Sequence, residues 1–252
     1  FQPVTTAGLS IFTDSIGMME PSGSTAIGDA LCEAIRQFDL DGAPTKRVLL
    51  ISDGQNTAGE TPVNVVPDLR ARGIRVSTIS TGGASNDRTL RDLAGATRGN
   101  AADARSATTL VNVFAQQWAN TRNSGIIEPL QPYVTDQKQS NLVFRVEENT
   151  PNLTLVFAGN MANMSGFGVR AILSGPAGAG SSSFDSEIAD ADMTVIRDGY
   201  FTIVKLQHLN AGTWNLNISA KLGSAPLQTG NLTILSDQPV TGLFTSLDRN
   251  VV

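Results

Sequence analysis

Two short apolar runs, each flanked by amphipathic segments, constrain the fold of this chain more than any other feature. Arg47–Ser52 is apolar without alternation, and residues 74–80 have the same character. Strands that are buried on both faces have this pattern, whereas half-exposed strands alternate apolar and polar residues. Helical periodicity surrounds both runs, and that alternation is typical of a parallel sheet covered by helices. We therefore predict an α/β fold with a partial doubly wound parallel sheet in residues 1–121.

The helices predicted for this part differ in how clearly their buried faces are marked. The second predicted helix, in residues 27–38, has the strongest apolar stripe. Cys32 lies on this apolar stretch, so a buried thiol is favoured over a reactive one. The last helix, in residues 106–121, is predicted to turn four side chains inward: Leu110, Val113, Phe114 and Trp118.

The remainder of the chain is predicted to be all β. Residues 122–139 form a polar stretch that contains Pro129 and Pro132, and we predict a linker there. Short apolar or alternating runs separated by Gly, Pro, Asn and Ser follow it, which is typical of an antiparallel sandwich. We predict a β-sandwich domain in residues 140–237, and an exit strand or the start of a further domain in residues 238–252. The runs are residues 142–146, 153–157, 169–173, 200–206, 214–218 and 232–235.

Charge and hydropathy exclude several classes of partner. The chain has a net charge of −5 and no cluster of Lys or Arg, so it lacks the basic surface that nucleic acid or an anionic membrane requires. No apolar run approaches the length of a membrane span, and residues 1–6 lack the features of a signal peptide. If the protein is secreted, we expect its export signal to lie outside this chain.

Two loops carry the residues with a predicted chemical role. Pro21-Ser-Gly-Ser-Thr-Ala-Ile-Gly-Asp-Ala-Leu31 presents the hydroxyl of Thr25 before a helix, and Leu49-Leu-Ile-Ser-Asp-Gly54 places Asp53 at the end of a buried strand. Ligands bind at such strand ends in open α/β sheets. A hydroxyl and a carboxylate are hard oxygen ligands, which suit Mg²⁺, Mn²⁺ or Ca²⁺. The alternative is a helix-capping loop and a strand-end turn without metal.

These motifs, in their order, resemble the von Willebrand factor type A (VWA) domain. A Gly-x-Thr loop that opens an Ala-Leu helix is followed by a strand ending in Ser-Asp-Gly. Three later sequence segments match the order of strands and helices in that family's second half. They are Leu69-Arg-Ala-Arg-Gly-Ile-Arg-Val-Ser-Thr-Ile79, Leu90-Arg-Asp-Leu-Ala94 and Leu110-Val-Asn-Val-Phe114. The resemblance covers residues 1 to about 121. It implies a metal-ion-dependent adhesion site (MIDAS) with Thr25 and Asp53 among its ligands, Mg²⁺ being favoured over Ca²⁺ or Mn²⁺.

The chain departs from this family at its start. A VWA domain begins with a central strand that ends in Asp-x-Ser-x-Ser and supplies the remaining MIDAS ligands, and Asp14-Ser-Ile-Gly17 does not fit that pattern. We therefore expect this chain to be the C-terminal part of the domain. Arg47–Ser52 reads as a central strand, so we predict that residues outside this chain, in an upstream segment or a second chain, pair with its free edge.

A softer resemblance concerns the predicted sandwich. Gly175-Pro176, a strand containing Tyr200-Phe201, and Asn210-Ala-Gly-Thr-Trp214 are similar to the β-rich segment that follows the VWA domain in the CLCA (calcium-activated chloride channel regulator) group. Proteins of that group carry an upstream metalloprotease domain. The resemblance implies that this chain could be the non-catalytic part of a larger secreted protease.

Other candidate ligands carry less weight. His208 is the single histidine, and a loop histidine without a partner is usually solvated. Four acidic residues could gather Ca²⁺ in a sandwich loop, but they lack a recognised ligand spacing, and a solvated acidic loop is favoured. They are Asp185, Glu187, Asp190 and Asp192. Without a Cys-His pair, a zinc motif or an evident Ser-His-Asp set, we expect no enzymatic activity in this chain.

The sequence thus leads to one main functional hypothesis and two alternatives. The main hypothesis is an extracellular or cell-surface adhesion module that binds a protein ligand or a neighbouring subunit through a divalent cation. The first alternative is a structural subunit of a surface scaffold or filament, in which a neighbouring molecule completes the sheet. The second is the non-catalytic part of a CLCA-like metalloprotease.

Overall fold

A computed structural model of the chain shows two compact units, residues Phe1–Asp103 and Ala104–Val252. No helix in the described part of the chain combines the length and apolar character that a membrane span requires. The structure describes residues 6–20, 22–53, 55–81, 84–122, 124–135, 140–148, 150, 152–159, 168–176, 183–197, 200–223 and 228–238.

The first unit alternates helices with parallel strands, as the sequence predicts. Its strands form a three-stranded sheet in the order β1-β2-β3, and both pairings are parallel. The elements are α1 Thr6–Gly17, α2 Ile27–Asp41, β1 Arg47–Ser52, α3 Pro62–Ala71, β2 Arg75–Ser80, α4 Ala84–Ala96 and β3 Ala101–Asp103.

The core of this unit forms where α2, α3 and α4 pack against β1 and β2. Helix α2 contributes Ile27, Leu31 and Ile35, which recur at helical spacing and are all buried. Cys32 follows Leu31 by one residue, which turns it about 100° away from that stripe, and its side chain is exposed. The prediction of a buried thiol was therefore wrong.

Strand β1 lies at the edge of its sheet. It pairs with β2 from Arg47↔Arg75 to Ser52↔Ser80, and the described residues supply no strand to its other side. Ile51 remains 44% exposed, although the run reads as a strand buried on both faces. The existence of a further strand outside this chain stays a prediction.

The described residues of the second unit form one helix and two antiparallel sheets, which confirms the predicted β-rich second part. The five-stranded sheet has the order β4-β12-β6-β10-β9, and the four-stranded sheet has the order β5-β11-β7-β8. The elements are α5 Ala107–Arg122, β4 Ile126–Thr135, β5 Ser140–Val146, β6 Leu153–Gly159, β7 Val169–Ser174, β8 Ser183–Asp185, β9 Met193–Arg197, β10 Phe201–Leu206, β11 Gly212–Ala220 and β12 Gln228–Ser236.

Alternating side chains from both sheets form one core. Trp214 is fully buried, stacks on Phe184 with ring centroids 6.0 Å apart, and donates its indole N–H to the Asn210 carbonyl at 2.9 Å. Phe157 is also fully buried and meets the ring of Tyr133 edge to face at 5.8 Å. The fold of this unit therefore rests on large apolar side chains contributed by both sheets.

The structure differs from the sequence prediction first at the predicted linker. Within residues 122–139, Ile126–Thr135 form the strand β4, which pairs with β12. Pro129 and Pro132 suggested an irregular segment because proline cannot donate to a strand ladder. Strand β4 is the outermost strand of its sheet and tolerates them, so the linker prediction was wrong for this segment. Residues 136–139 and 239–252 lie outside the described residues.

Helix α5 is the second point of difference, since it groups with the sandwich rather than with the α/β unit. Asn112 is fully buried, and its Nδ2 donates to the carbonyls of Val156 at 3.0 Å and Asn231 at 3.2 Å. Val113 is buried as predicted, but Phe114 and Trp118 are 46% and 47% exposed. A buried polar anchor, which hydrophobic periodicity does not register, fixes the face that this helix turns to the sheet.

We expect Asn112→Ala to destabilise the sandwich by about 1–3 kcal/mol, because the substitution removes a buried donor that bridges β6 and β12. Hydrogen exchange should show faster exchange of the β6 and β12 amides. Asn120→Ala, an exposed change on the same helix, is the control. Equal exchange in the two variants would show that Asn112 does not anchor α5.

Candidate cation site

Thr25 lies in the loop that leads into α2, and its backbone is fastened to the segment that follows β1. Its N–H donates to Thr57 Oγ1 at 2.9 Å, and its carbonyl accepts from the N–H groups of Thr57 at 2.8 Å and Ala58 at 3.3 Å. The contacts between Thr25 and Thr57 join residues that are 32 positions apart in the sequence. The Thr25 loop is thus held at the segment that begins with Asp53.

Asp53 directly follows the last residue of β1 and is exposed. The Thr81 N–H donates to the Ser52 carbonyl at 3.0 Å, and Ser52 pairs with Ser80, so β1 and β2 end at the same edge of the sheet. Ligands bind at this edge in open α/β sheets. The structure therefore places Asp53 where a ligand would be expected, and its sharing of one cation with Thr25 stays a prediction.

The donor set available at this edge is small. Within the described ranges, no group of three or more His, Cys, Asp or Glu side chains is arranged to hold a metal. A threonine hydroxyl and one carboxylate are suitable ligands for a hard cation, but Mg²⁺ requires six oxygen donors, some of them water. A cation bound through Thr25 and Asp53 therefore needs donors from beyond these two side chains.

Sequence reasoning did not identify Thr57 as part of this arrangement. Its hydroxyl accepts from Thr25 and its own N–H donates back, which makes it the residue that closes the two loops on each other. The available signal was a hydroxyl in the polar loop that follows Asp53. Such residues are common in turns, so the signal identifies a loop but not its partner.

The acidic residues of the sandwich loop are largely paired with cationic side chains. Asp185 accepts from Arg170 through both carboxylate oxygens, and this hydrogen-bonded guanidinium lowers the pKa of the Asp185 carboxyl below its ordinary value. Glu187 accepts from Arg197 at 2.6 Å. Asp185 and Glu187 therefore have arginine partners and do not require a bound metal ion to balance their charge.

His208 has a partner that sequence reasoning did not expect. Its Nδ1 lies 2.8 Å from Asp192 Oδ1, and its backbone has the left-handed φ of 55°. The His208 side chain is 75% exposed. The expectation of a solvated histidine is therefore confirmed, and only the expectation that it lacks a partner was wrong.

Comparison with known proteins identifies a VWA-like α/β domain. The family model of the von Willebrand factor type A domain matches residues 10–116. Two uncharacterised proteins of Bacillus subtilis (strain 168) are similar over part of the chain. YwmC is 38% identical over 69 residues, and YwmD is 35% identical over 66 residues. These alignments cover 27% and 26% of this chain, and each spans 30% of the relative's length.

Two solved structures also resemble the chain. A von Willebrand factor type A protein from Catenulispora acidiphila aligns with a TM-score of 0.41 at 14% identity, over 87% of this chain and 44% of that one. An uncharacterised membrane-spanning protein from Vibrio fischeri aligns with a TM-score of 0.29 at 23% identity, over 46% of this chain and 67% of that one. Both scores are low, so the parallel strand order and the family match carry the assignment of the α/β unit.

We expect Thr57→Val to loosen the Thr25 loop, because the change keeps the side-chain shape but removes the acceptor of the Thr25 N–H. A lost hydrogen bond of about 1 kcal/mol corresponds to roughly fivefold faster exchange of the Thr25 amide. Thr61→Val is the matched control, because the Thr61 hydroxyl makes no capping hydrogen bond to α3. Unchanged exchange at Thr25 in Thr57→Val would refute the fastening role of this hydroxyl.

The Arg170–Asp185 pair predicts a pH dependence in the second unit. Because the pKa of Asp185 is lowered in the folded protein, its stabilising effect is fully present above the unfolded value of about 3.8 and is lost as the pH falls through the lowered value. Asp185→Asn should therefore reduce stability at neutral pH and flatten the loss of stability on acidification. Denaturant titrations at a series of pH values test this.

The control for that experiment is Asp190→Asn, since the described contact of the Asp190 carboxylate is with the Asp192 N–H in the same loop. An acid profile of Asp185→Asn as steep as that of Asp190→Asn would contradict the assignment.

Proposed function

We propose that this chain is part of a protein-binding module in which Thr25 and Asp53 hold a divalent cation, with the remaining ligands supplied by residues outside the chain. The observation that carries this proposal is the backbone fastening of the Thr25 loop to the segment that Asp53 begins. The contact joins the Thr25 loop to residues 57 and 58, which follow Asp53 in the chain, and ligands of open α/β sheets bind at the edge where β1 ends.

The donor chemistry selects the cation and the kind of partner. Mg²⁺ is favoured, with Ca²⁺ or Mn²⁺ as alternatives, because hydroxyl and carboxylate oxygens are hard ligands. A cation held by few protein ligands keeps an open coordination position, and a carboxylate of a protein ligand or a neighbouring subunit would fill it. No bond is made or broken in this role, so we propose binding rather than catalysis.

The edge position of β1 supports the view that the site is incomplete. Its described pairing is with β2 alone, and Ile51 is 44% exposed at its carboxyl end. An upstream segment or a second chain that paired with this edge would end near Asp53 if it ran parallel to β1. VWA domains generally mediate protein interactions, and we place this module outside the cell or on the cell surface.

A second candidate function follows from the same edge. If a neighbouring molecule donates the missing strand, the chain is a structural subunit of a surface scaffold or filament, and the cation is dispensable. Cation-independent self-assembly, observed by light scattering with and without a chelator, would favour this function.

The CLCA-like alternative rests on the resemblance of short sequence motifs in the sandwich. A His-Glu-x-x-His helix upstream of Phe1 would favour a larger metalloprotease, whereas an Asp-x-Ser-x-Ser strand would favour the adhesion role.

We expect Thr25→Val and Asp53→Asn each to weaken cation binding by the chain by at least about tenfold, because the first removes an oxygen ligand and the second replaces a charged carboxylate oxygen with a neutral amide oxygen. Electron paramagnetic resonance titration with Mn²⁺ measures the affinity, and competition with Mg²⁺ and Ca²⁺ gives the preference. Asp92→Asn, an exposed carboxylate on α4 with an Arg88 partner, is the control. Wild-type affinity in both site variants would refute the assignment.

A further inference from the structure

Asn56 links the segment after β1 to the first turn of α2 through both ends of its amide. Its Oδ1 accepts from the Gly28 N–H at 3.3 Å, while its Nδ2 donates to the carbonyls of Ala58 at 3.0 Å and Glu60 at 3.1 Å. One half-buried side chain thus fastens the helix to the loop and also closes the loop on itself.

The beginning of α2 requires such a contact from elsewhere in the chain. The N-terminal N–H groups of a helix have no partner within the helix, and a Ser, Thr, Asn or Asp at the N-cap usually supplies one. Here the N-cap is Ala26, which makes no side-chain hydrogen bond. Asn56, which is 28 positions away from Gly28, therefore supplies an acceptor to the first turn of α2, and the start of the helix depends on the loop that follows β1.

A second set of contacts leaves little room between these two segments. Asp29 Oδ1 accepts from the Glu60 N–H at 2.8 Å. A Cβ at Gly28 would lie 1.9 Å from the Glu60 carbonyl oxygen, and a Cβ at Gly59, whose φ is 67°, would lie 2.0 Å from Asp29 Oδ2. The absence of a side chain at both glycines permits this approach, so residues 25–29 and 56–60 pack closely against each other.

We propose that Asn56 is the positioning residue of the cation site, which holds the Thr25 loop against the Asp53 loop with the support of Asp29. This inference rests on the proposed function for the identity of the site. It adds that the spacing of the two ligand-bearing loops is set by an amide that does not itself bind the cation.

Replacing the Asn56 amide with a carboxylate tests this role, because loss of the contacts and gain of charge change the cation affinity in opposite directions. Asn56→Asp keeps the shape and the Oδ1 acceptor but removes both donated hydrogen bonds, and it turns a carboxylate toward the carbonyls of Ala58 and Glu60. The new negative charge near a cation would by itself raise the affinity. Loss of the positioning contacts lowers it, so the two effects have opposite signs.

The experiment is a titration of the isotope-labelled full chain with Mn²⁺, which broadens the amide signals of nearby residues. In the wild-type protein we expect broadening at both Thr25 and Asp53. In Asn56→Asp we expect broadening at Asp53 to persist while that at Thr25 is lost, with an affinity lower by about tenfold. A variant that only destabilised the fold would weaken both signals together, and that outcome, or a raised affinity, would overturn the inference.

Asn64→Asp is the matched control. It introduces the same charge by the same change on α3, where Asn64 is exposed and its amide donates to the Glu60 side chain. We expect this variant to keep the wild-type pattern of broadening. If Asn64→Asp lost the Thr25 signal as Asn56→Asp does, local charge rather than the Asn56 contacts would explain the effect, and the inference would be wrong.

Asp29 supplies a test that does not depend on the folding of Asn56→Asp. Asp29→Asn and Asp29→Ala remove the same charge, but only the alanine removes the acceptor of the Glu60 N–H. The positioning role predicts that Asp29→Ala loses broadening at Thr25 relative to Asp29→Asn. Equal behaviour of the two variants would contradict it.

Hydrogen exchange separates this inference from the proposed function. If wild-type protein shows no Mn²⁺ broadening at either loop, the proposed function fails. Exchange of the Thr25 amide then tests the loop contact by itself: faster exchange in Asn56→Asp than in Asn64→Asp supports the contact, and equal exchange overturns it.

Discussion

Hydrogen bonds between the Thr25 loop and the segment after β1 hold two loops together at the edge of the parallel sheet. Strand β1 is fixed by its parallel pairing with β2, and α2 is fixed by the apolar stripe that it buries. Neither constraint determines the path of the loops at the edge of the sheet. The contacts of Thr57 and Asn56 do so, and the geometry of any cation site at this edge depends on them.

Regular patterns of apolar residues were sufficient to predict the main strands and the packed helix of the first unit. The apolar runs of β1 and β2 and the stripe on α2 predicted parallel strands and a packed helix, because burial on a regular element leaves a regular trace in the sequence. The same reasoning failed at Cys32, where the limit of the stripe had to be known within one residue. Periodicity does not predict whether a single side chain at the margin of a buried face is buried or exposed.

The errors in the second unit share a different cause. Strand β4 was taken for a linker because its prolines were read without knowledge of its edge position, and the packing of α5 on β6 and β12 was missed because its anchor, Asn112, is polar. The Asp192–His208 contact likewise joins residues in separate segments. Each of these features depends on which distant segment lies opposite, and local composition does not encode that information.

The edges of the sheets differ in how they are protected, and this difference bears on the site. Strand β4 carries two prolines and β8 is three residues long, which are both features that discourage pairing with another chain. Strand β1 has neither, and Ile51 is 44% exposed. A parallel strand added to β1 would finish at the edge where Asp53 lies, so the residues that follow it would reach the Thr25 and Asp53 loops. Under the proposed function, one added segment would pair with the edge of β1 and supply further ligands, which would link completion of the sheet to completion of the cation site.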